Sequence, residues 1–587
     1  MPFGLGSVVV RSFTICLLAA SPAAADIIHV DDDAANGGDG TSWATAFNNL
    51  NDALAVATAG DEVWVAGGTY IPTAPAGRDG TFSVPDGVQL LGGFSGREAD
   101  ISERLEDIFE FRTVLSGDDD RYTVVTLTGA GASTVVDGFD IRNGLADIGG
   151  PPQRRRGAGI YAFDSTPLLS RLIVQNNEAL DLGGGIYLGG DGDGGFVRLV
   201  DVRVRINEAG NGGGGIYTEI NTDIADSRIE DNDAVAAGGI AVQGGEFFIA
   251  DNLQVRGNEA TTSSGGGILV GMPTSASTSQ ISNTDFIDNT AFIGGAAVGY
   301  TSAGDHLLRN AIVRDNENTG LSTSAGTINI AFTSPSARAT IENVLITGND
   351  SDGNGTALRI SAGNATTVNI TIVGNDAAGL AGAISANGGS LTLANTIVWD
   401  NNAAGAPAGN FVNTLSAGSF ATVTILNSIL EDWDARPPSI TGANTTGSDP
   451  LFIDANGNDN IFGTADDNLR LLPGSPAIDA GNNLFLSPFA AFDVYDQFRV
   501  LDDIGTPDTG DAAGFGSVVD IGAAEFQGTS AACAADIAPP LGVFDIFDVI
   551  EFLALFDAAD PAADLAAPAG VFDIFDVLDY LASTDDC

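Results

Sequence analysis

The chain has 587 residues, 44% of them hydrophobic and 77 of them glycine, which is enough apolar material for a large core and favours compact β architecture over disorder. Its 77 acidic residues face 23 basic ones, all arginine, and the formal charge of -54 repels nucleic acid and anionic membranes. The same charge reads first as a solvated acidic surface that aids solubility, with attraction of Ca2+ or a cationic partner as the alternative.

Arg11, an apolar run from Phe13 to Ala20 and Ala23-Ala24-Ala25 before Asp26 read as a secretory signal over residues 1–25, so the mature protein is expected outside the cell, secreted or at a bacterial surface. Cys16 leaves with that segment. No later stretch of about 18 uninterrupted apolar residues predicts a membrane span. In residues 26–130, read as an N-terminal cap and the first coils, Phe47, Leu50, Leu54 and Ala57 are spaced like one face of a short helix beginning near Ala44, a lid for an exposed strand edge.

Residues 131–430 carry a repeat. An apolar residue is followed three places later by Asn176, Asn207, Asn232, Asn258, Asn289, Asn316, Asn349, Asn375 and Asn401, at spacings of 31, 25, 26, 31, 27, 33, 26 and 26. Gly-rich strand starts alternate with them, among them Gly183-Gly184-Gly185-Ile186-Tyr187 and Gly213-Gly214-Gly215-Ile216-Tyr217. The segments between, such as Val197 to Val204, alternate with too short a period for a helix. Repeats of this length built from short strands and tight turns predict an all-β solenoid, a sheet coiled into a rod. Asn tolerates the left-handed backbone conformation and stacked Asn side chains bond from rung to rung, so the Asn file is expected to mark one corner of every coil.

The Gly-Gly-Ala and Phe-x-x-Asn elements, clearest from Phe286 to Ala296, resemble polymorphic outer-membrane-protein repeats and the right-handed parallel β-helices of the pectate-lyase-like class. The flanks agree: Asp31-Asp32-Asp33, Gly40 to Phe47 and Gly60 to Tyr70 look like the opening of bacterial surface β-helix proteins. Asp449-Pro450-Leu451-Phe452, Pro473 to Gly481 and Asp520 to Phe526 look like their C-terminal closure. The resemblance implies a right-handed parallel β-helix with residues 431–528 guarding its far end. In that segment Asp454, Asn456 and Asn458, followed by Asp466 and Asp467, alternate around glycine as a Ca2+ loop does, and as ordinary polar turns also do. Gly189 to Gly194 lacks the final Asp of a calcium repeat and reads as a loop.

Residues 529–587 hold two copies of Gly-Val-Phe-Asp-Ile-Phe-Asp-Val, from Gly542 and Gly570, at an offset of 28 and bracketed by Cys533 and Cys587. In an oxidising compartment these two cysteines are expected to pair and close a 55-residue loop. The tandem resembles a dockerin of the Cys-flanked bacterial type, a small α-helical module that binds cohesin domains. That resemblance implies a cohesin-like or other surface protein as partner, and Ca2+ on Asp536, Asp545 and Asp548 in the first copy and Asp564, Asp573 and Asp576 in the second. Ala538, Pro540, Ala566 and Pro568 replace other expected ligands, so a metal-free module packed around its Phe residues stands beside the calcium-loaded one.

Candidate chemistry is sparse. His29 and His306 are the only histidines and complete neither a nucleophilic triad nor a zinc cluster. Asp118-Asp119-Asp120 and Arg154-Arg155-Arg156 read as solvated loops. No catalytic residue is assigned. The leading expectation is a non-catalytic rod that presents an adhesion or polysaccharide-contact surface and is held by its terminal module. The alternatives are a polysaccharide lyase or glycoside hydrolase carried on that module and a structural surface-layer component. Clustering of Arg198, Arg203, Arg205, Arg256 and Arg314 on one exposed face would favour the enzyme, and their pairing with acidic residues the rod.

Overall fold

The computed structural model describes residues 25–104, then 111–528 without 275, 302, 321–325, 354–356, 380–381, 406–410, 489–490 and 515–516, and finally 546–557, 563 and 577. Strand Val197–Arg205 explains how the chain coils. Val197 and Leu199 are buried, Asp201 is left-handed at φ 54°, and Val202 and Val204 are then buried. The left-handed residue slips the alternation by one position and bends the ribbon, so one strand supplies two faces.

This strand pairs in parallel with Leu168–Gln175 before it and Thr222–Glu230 after it, and the series continues to Leu415–Leu430 and Thr441–Thr446. Another face stacks eleven rungs from Val125–Thr128, through Ile160–Phe163 and Ile186–Gly189, to the start of Leu415–Leu430. The third is a file of ten strands of two to five residues, from Leu145–Ala146 to Asn402–Ala403. The described chain is therefore an all-β parallel solenoid. Register places like on like inside it: Ile186, Ile216, Ile240 and Ile268 form one fully buried file, and Val204, Ile229, Val255, Phe286 and Val313 another. Burial of each such aliphatic side chain is worth about 1.5–3 kcal/mol.

The asparagines stand in a ladder. Asn207 donates from its backbone N and its Nδ2 to Asn232 Oδ1 at 3.1 and 2.9 Å, and from Nδ2 to Val174 O at 2.9 Å. The same two bonds to the next Oδ1 recur from Asn232 through Asn258, Asn289, Asn316, Asn349 and Asn375 to Asn401. Two expectations are corrected. The first rung is Asn177, buried and bonded to Asn207 Oδ1, while Asn176 is exposed, because Val174 and not Ile173 is in register with Val204. The left-handed conformation belongs to the residue before each ladder position, as in Asn176, Ile206, Asp231 and Gly257 at φ 52, 52, 53 and 62°. The ladder thus selects Asn for its buried amide, which both donates and accepts.

Glycine is required where this ladder meets the next strand. Gly183 has φ +62° and a Cβ there would stand 2.4 Å from Ile186 O, while a Cβ on Gly185 would stand 2.7 Å from Gly215 O. Beyond them Tyr161, Tyr187 and Tyr217 stack outside the coil, with centroids 5.3 and 5.8 Å apart.

Near the N-terminus the helix starts later than Ala44. Residues Trp43–Thr45 form a single 3-10 turn and Phe47 bridges to Val30 as an extended residue. The helix Leu50–Val56 follows, with Asn49 Oδ1 accepting from Asn51 N at 2.9 Å, and Leu50, Ala53 and Leu54 enter the core beside Val30 and Val63. The strands on either side of residue 130 belong to one sheet, with Val125–Thr128 pairing Ile160–Phe163 and Gln89–Phe94 pairing Val135–Asp137.

Residues 449–528 do not close the far end. They lie along the side of the coil: Asn395 and Asn427 donate to Asn482 O and Ala480 O at 3.1 and 3.2 Å, Ser487 N to Glu342 Oε1 at 3.0 Å, and Ala523 N to Thr371 Oγ1 at 2.9 Å. Trp433 and Ile440 instead complete the core beyond Leu430, where strand Thr441–Thr446 follows. The lateral brace is fastened by buried Arg499, which bonds Glu525 at 3.4 Å, Gly522 O at 2.9 Å, Ala523 O at 2.6 Å and Asn343 Oδ1. In the terminal segment the chain is helical over Ile546–Asp557.

Candidate functional site

The outward residues of the ribbon that precedes the Asn ladder change character along the rod. Arg203, Arg228, Gln254, Asp285, Ile312, Leu345, Thr371, Ile397 and Ile429 follow one another in register. The apolar half of this file is covered by the brace, with Leu345 and Val373 against Leu469 and Ala523, and Ile397 and Ile429 against Leu471, Ala477, Ile478 and Ile521. The charged half is open. Where the cover stops, Asp493, Val494 and Asp496 form the end wall of a groove.

Two contiguous hollows of about 840 and 640 Å³ make up this groove and share Asp226 and Arg228. The one beside the brace is acidic and amide-rich, lined by Asp226, Asp251, Asn252, Asn283, Asp285 and Asn310. The other holds Arg112, Arg171, Arg203, Arg205 and Arg228. Most of these arginines are engaged: Arg203 with Glu230 at 2.6 Å, Arg205 with Gln175 Oε1 at 2.8 Å, Arg112 with Asp140, and Arg171 with Asp137 at 2.5 Å. Arg228 is exposed and has no ion pair among the described residues. Burial would raise the carboxyl of Asp137, but Arg171, Arg104 and Ser170 outweigh it and hold the group below the usual range. Burial raises Asp285, against the opposing pull of Arg314, and also raises Asp201.

The rim between the two ribbon faces is a second polar file. Asp201, Asp226, Asn252, Asn283, Asn310 and Asn343 are all left-handed, with φ between 48 and 57°. Asn252 Nδ2 donates to Asp226 Oδ1 at 2.7 Å, Asn283 Nδ2 to Asp251 Oδ1 at 2.8 Å and Asn310 Nδ2 to Asn283 Oδ1 at 3.0 Å. Sequence reading missed this file, although each member stands six residues before a ladder asparagine. Here Asn and Asp do satisfy a left-handed corner.

The other sequence candidates lie elsewhere. Arg205, Arg256 and Arg314 share an outward file with Glu230 and Ile287 on the groove face, Arg314 donating to Gly463 O at 3.0 Å, while Arg198 pairs with Asp223 at 3.4 Å on the adjacent face. Arg154 forks onto Asp79 with two 2.8 Å bonds, Arg155 meets Asp181 at 2.7 Å, and Arg156 reaches Tyr187 Oη at 3.0 Å, so this run ties coils together. Asp118 and Asp119 are left-handed turn residues and Asp120 pairs with Arg121. His29 packs on Trp43 at 4.6 Å. His306 is buried with Ser279 Oγ 2.8 Å from its Nδ1, and burial lowers it to about 4.

In the expected calcium loop the carboxylates are bonded within their own turn. Asp466 Oδ2 accepts from Asn458 N at 2.7 Å, its Oδ1 from Thr464 Oγ1 at 2.7 Å, and Asp467 Oδ2 from Gly463 N at 2.6 Å. Asp454 and Asn456 are not drawn into that set by any hydrogen bond among the described residues. Two other carboxylate triplets converge among the described residues, Asp31/Asp32/Asp33 and Asp479/Asp502/Asp508. In the first, Asp31 and Asp32 accept main-chain N–H bonds from Asp33 and Thr69, both at 3.0 Å. Cys533, Cys587, Asp536, Asp545, Asp564, Asp573 and Asp576, with residues 1–24, fall outside the described residues; Asp548 lies in the helix Ile546–Asp557. No helix among the described residues is long and apolar enough to cross a membrane.

Residues 158–334 match the family model described as right handed beta helix region. With the stacked parallel strands on both sides of that span, the solenoid is a right-handed parallel β-helix. No curated protein matches the chain. Among solved structures, that of pectate lyase Pel9A aligns at 12% identity over 86% of this chain and 97% of its own, with a TM-score of 0.37. The complex of XylC with xylose aligns at 10% identity over 85% of this chain and 98% of its own, with a TM-score of 0.34.

Proposed function

We propose that this is a secreted, surface-associated β-helix that binds an extended polysaccharide along the groove beside the brace, without cleaving it, and is held to a cohesin-like partner by residues 529–587. The observation that carries the reading is the groove itself: an open, rod-parallel trough with hydrogen-bonding amides and carboxylates at one end and arginines at the other. Such a lining suits a polymer bearing hydroxyl and carboxylate groups, met by amides, by arginine forks and by shape rather than by one deep pocket. Nucleic acid is disfavoured by the charge of -54 and by the acidic half of the trough.

Neither histidine lines the groove, and Asp493, the most buried carboxylate in its wall, accepts Tyr495 N, Gln497 N and Glu525 N at 2.8 to 2.9 Å, which suits a structural role. One observation favours the lyase reading as second: Arg228, without an acidic partner among the described residues, faces the same trough as Asp226, Asp251 and Asp285, the groups an elimination would use as base and cation ligands.

The test is affinity electrophoresis of the full chain in gels containing polygalacturonate, alginate or neutral xylan, with product analysis of the same polymers. Retardation with no shortening of the polymer is the expected result. Shortening would transfer the assignment to the lyase or hydrolase, and absence of retardation by any of them would remove the glycan surface. Anchoring is tested separately by pull-down of the producer's surface proteins with and without EDTA, where no captured cohesin-like protein in either condition would sink it.

A further inference from the structure

The brace contains a carboxylate that none of the contacts above explains. Asp479 belongs to the Ser475-Pro476-Ala477-Ile478-Asp479-Ala480-Gly481 segment and is left-handed at φ 52°. It is 0% exposed, and neither of its carboxylate oxygens has a hydrogen-bond partner among the described residues. Its main chain is fully engaged: the N–H donates to Asp520 Oδ1 at 2.7 Å, and the C=O accepts from Thr509 N and Gly510 N at 2.9 and 3.0 Å. Those last two bonds fasten the loop that carries Asp502 and Asp508. One carboxylate oxygen from each of Asp479, Asp502 and Asp508 lies within 4.8 Å of the other two.

Three carboxylates this close, one of them removed from water with only the Asp503 main chain beside it, repel one another and favour a bound proton or a cation among them. Among the described residues no arginine pairs with any of the three, and Arg499, the buried arginine of the brace, is engaged with Glu525, Asn343, Gly522 and Ala523. We propose that Asp479, Asp502 and Asp508 form a divalent-cation site, with Asp479 as its buried ligand and the exposed pair as its outer ligands. An all-oxygen, all-carboxylate set without histidine or cysteine suits a hard ion, and a partly exposed loop that leaves positions for water suits Ca2+ with its six to eight oxygens better than the rigid octahedron of Mg2+. The bound ion would pin the 502–510 loop to the corner where Ala480 and Gly481 meet Asn427 of the coil. This site is separate from the Asp454 to Asp467 turn and from residues 529–587, and stands whether or not the groove binds glycan.

The full chain, stripped with EDTA and dialysed against Ca2+, is compared with Asp479→Asn, with the double variant Asp502→Asn/Asp508→Asn and with the control Asp454→Asn/Asp466→Asn. Bound calcium is counted by equilibrium dialysis, and the calcium-dependent rise of the thermal midpoint is recorded. The expected result is loss of one ion per chain and loss of that rise in both of the first two variants, with the control unchanged. Unaltered ion count and midpoint response in the exposed double variant would overturn the site, and so would a Mg2+ response equal to that of Ca2+ for the choice of ion. Because Asp502 and Asp508 are exposed, the double variant folds even if Asp479→Asn does not.

Discussion

Replacing Asn289 by Ala interrupts the ladder in mid-coil. Asn289 Oδ1 accepts both Asn258 N and Asn258 Nδ2, at 3.1 and 3.0 Å, and its own Nδ2 donates to Val255 O at 2.9 Å and to Asn316 Oδ1 at 2.9 Å. In the variant Asn258 Nδ2 keeps Ile229 O and Arg256 O, and Asn316 Oδ1 keeps the backbone N of residue 289, so the group orphaned outright is the buried Asn258 N–H. An unsatisfied buried donor costs about 1–3 kcal/mol and the lost bond to Val255 adds about 1 kcal/mol, giving about 3 kcal/mol locally. At about 1.4 kcal/mol per factor of ten, hydrogen exchange of the Asn258 amide should quicken by about a hundredfold. Mass-resolved exchange of peptides spanning residues 255–260 and 286–291 reads this, and peptides near Asn375 should stay unchanged because each coil contacts only its neighbours. The comparison is Asn176→Gly, an exposed left-handed position where glycine is conformationally free and only main-chain bonds are made, which should leave exchange unaltered. If Asn289→Ala left the Asn258 amide protected, or Asn176→Gly loosened its coil as much, the ladder would not be what selects asparagine.

Burial holds His306 at about 4, below the ordinary imidazole value of 6.5, so the stability of its neutral form is complete above pH 6.5 and is lost as pH falls through 4, by about 3 kcal/mol in all; thermal unfolding of His306→Gln against pH should lack that slope. Arg499→Met leaves Glu525 buried without its cation and should cost about 3–5 kcal/mol, seen as faster proteolysis within residues 449–528 while the first coils resist. Arg228→Glu should weaken retardation by polygalacturonate about tenfold and flatten its salt dependence, leaving neutral xylan unaffected; equal loss for both polymers would show that charge plays no part in the groove.

The coil was legible because its constraints recur once per lap: a Gly where two backbones nearly touch, an Asn where a buried corner needs donor and acceptor together, and aliphatic pairs between. The one-residue slip at Asn176 arose because Asn176 and Asn177 are adjacent and only the register of Val174 on Val204 separates them. The groove was harder to see, since a solvated arginine file and a grooved one read alike in sequence. Yet its boundary was written there. Val202-Arg203-Val204-Arg205 alternates, as a ribbon wet on one side does, whereas Val344-Leu345-Ile346 and Ile370-Thr371-Ile372-Val373 are buried at every position. Unbroken apolar runs announce strands covered on both sides, and so the lateral brace. The carboxylate triplet was illegible because Asp479 and Asp502 stand 23 positions apart and only the fold closes the distance.

The brace also sets which coils are free to vary in number. From Asn343 to Asn427 each lap is matched to a fixed contact on residues 480 to 523, so adding or deleting a lap there would throw every later contact out of step. Between Asn207 and Asn289 no such yardstick applies among the described residues, and a lap inserted there would lengthen the trough by one strand spacing of about 4.8 Å while leaving its end wall in place. Homologous chains that differ in length should therefore differ on the groove side of the wall, with the size of the bound segment as the variable and the braced half as the constant.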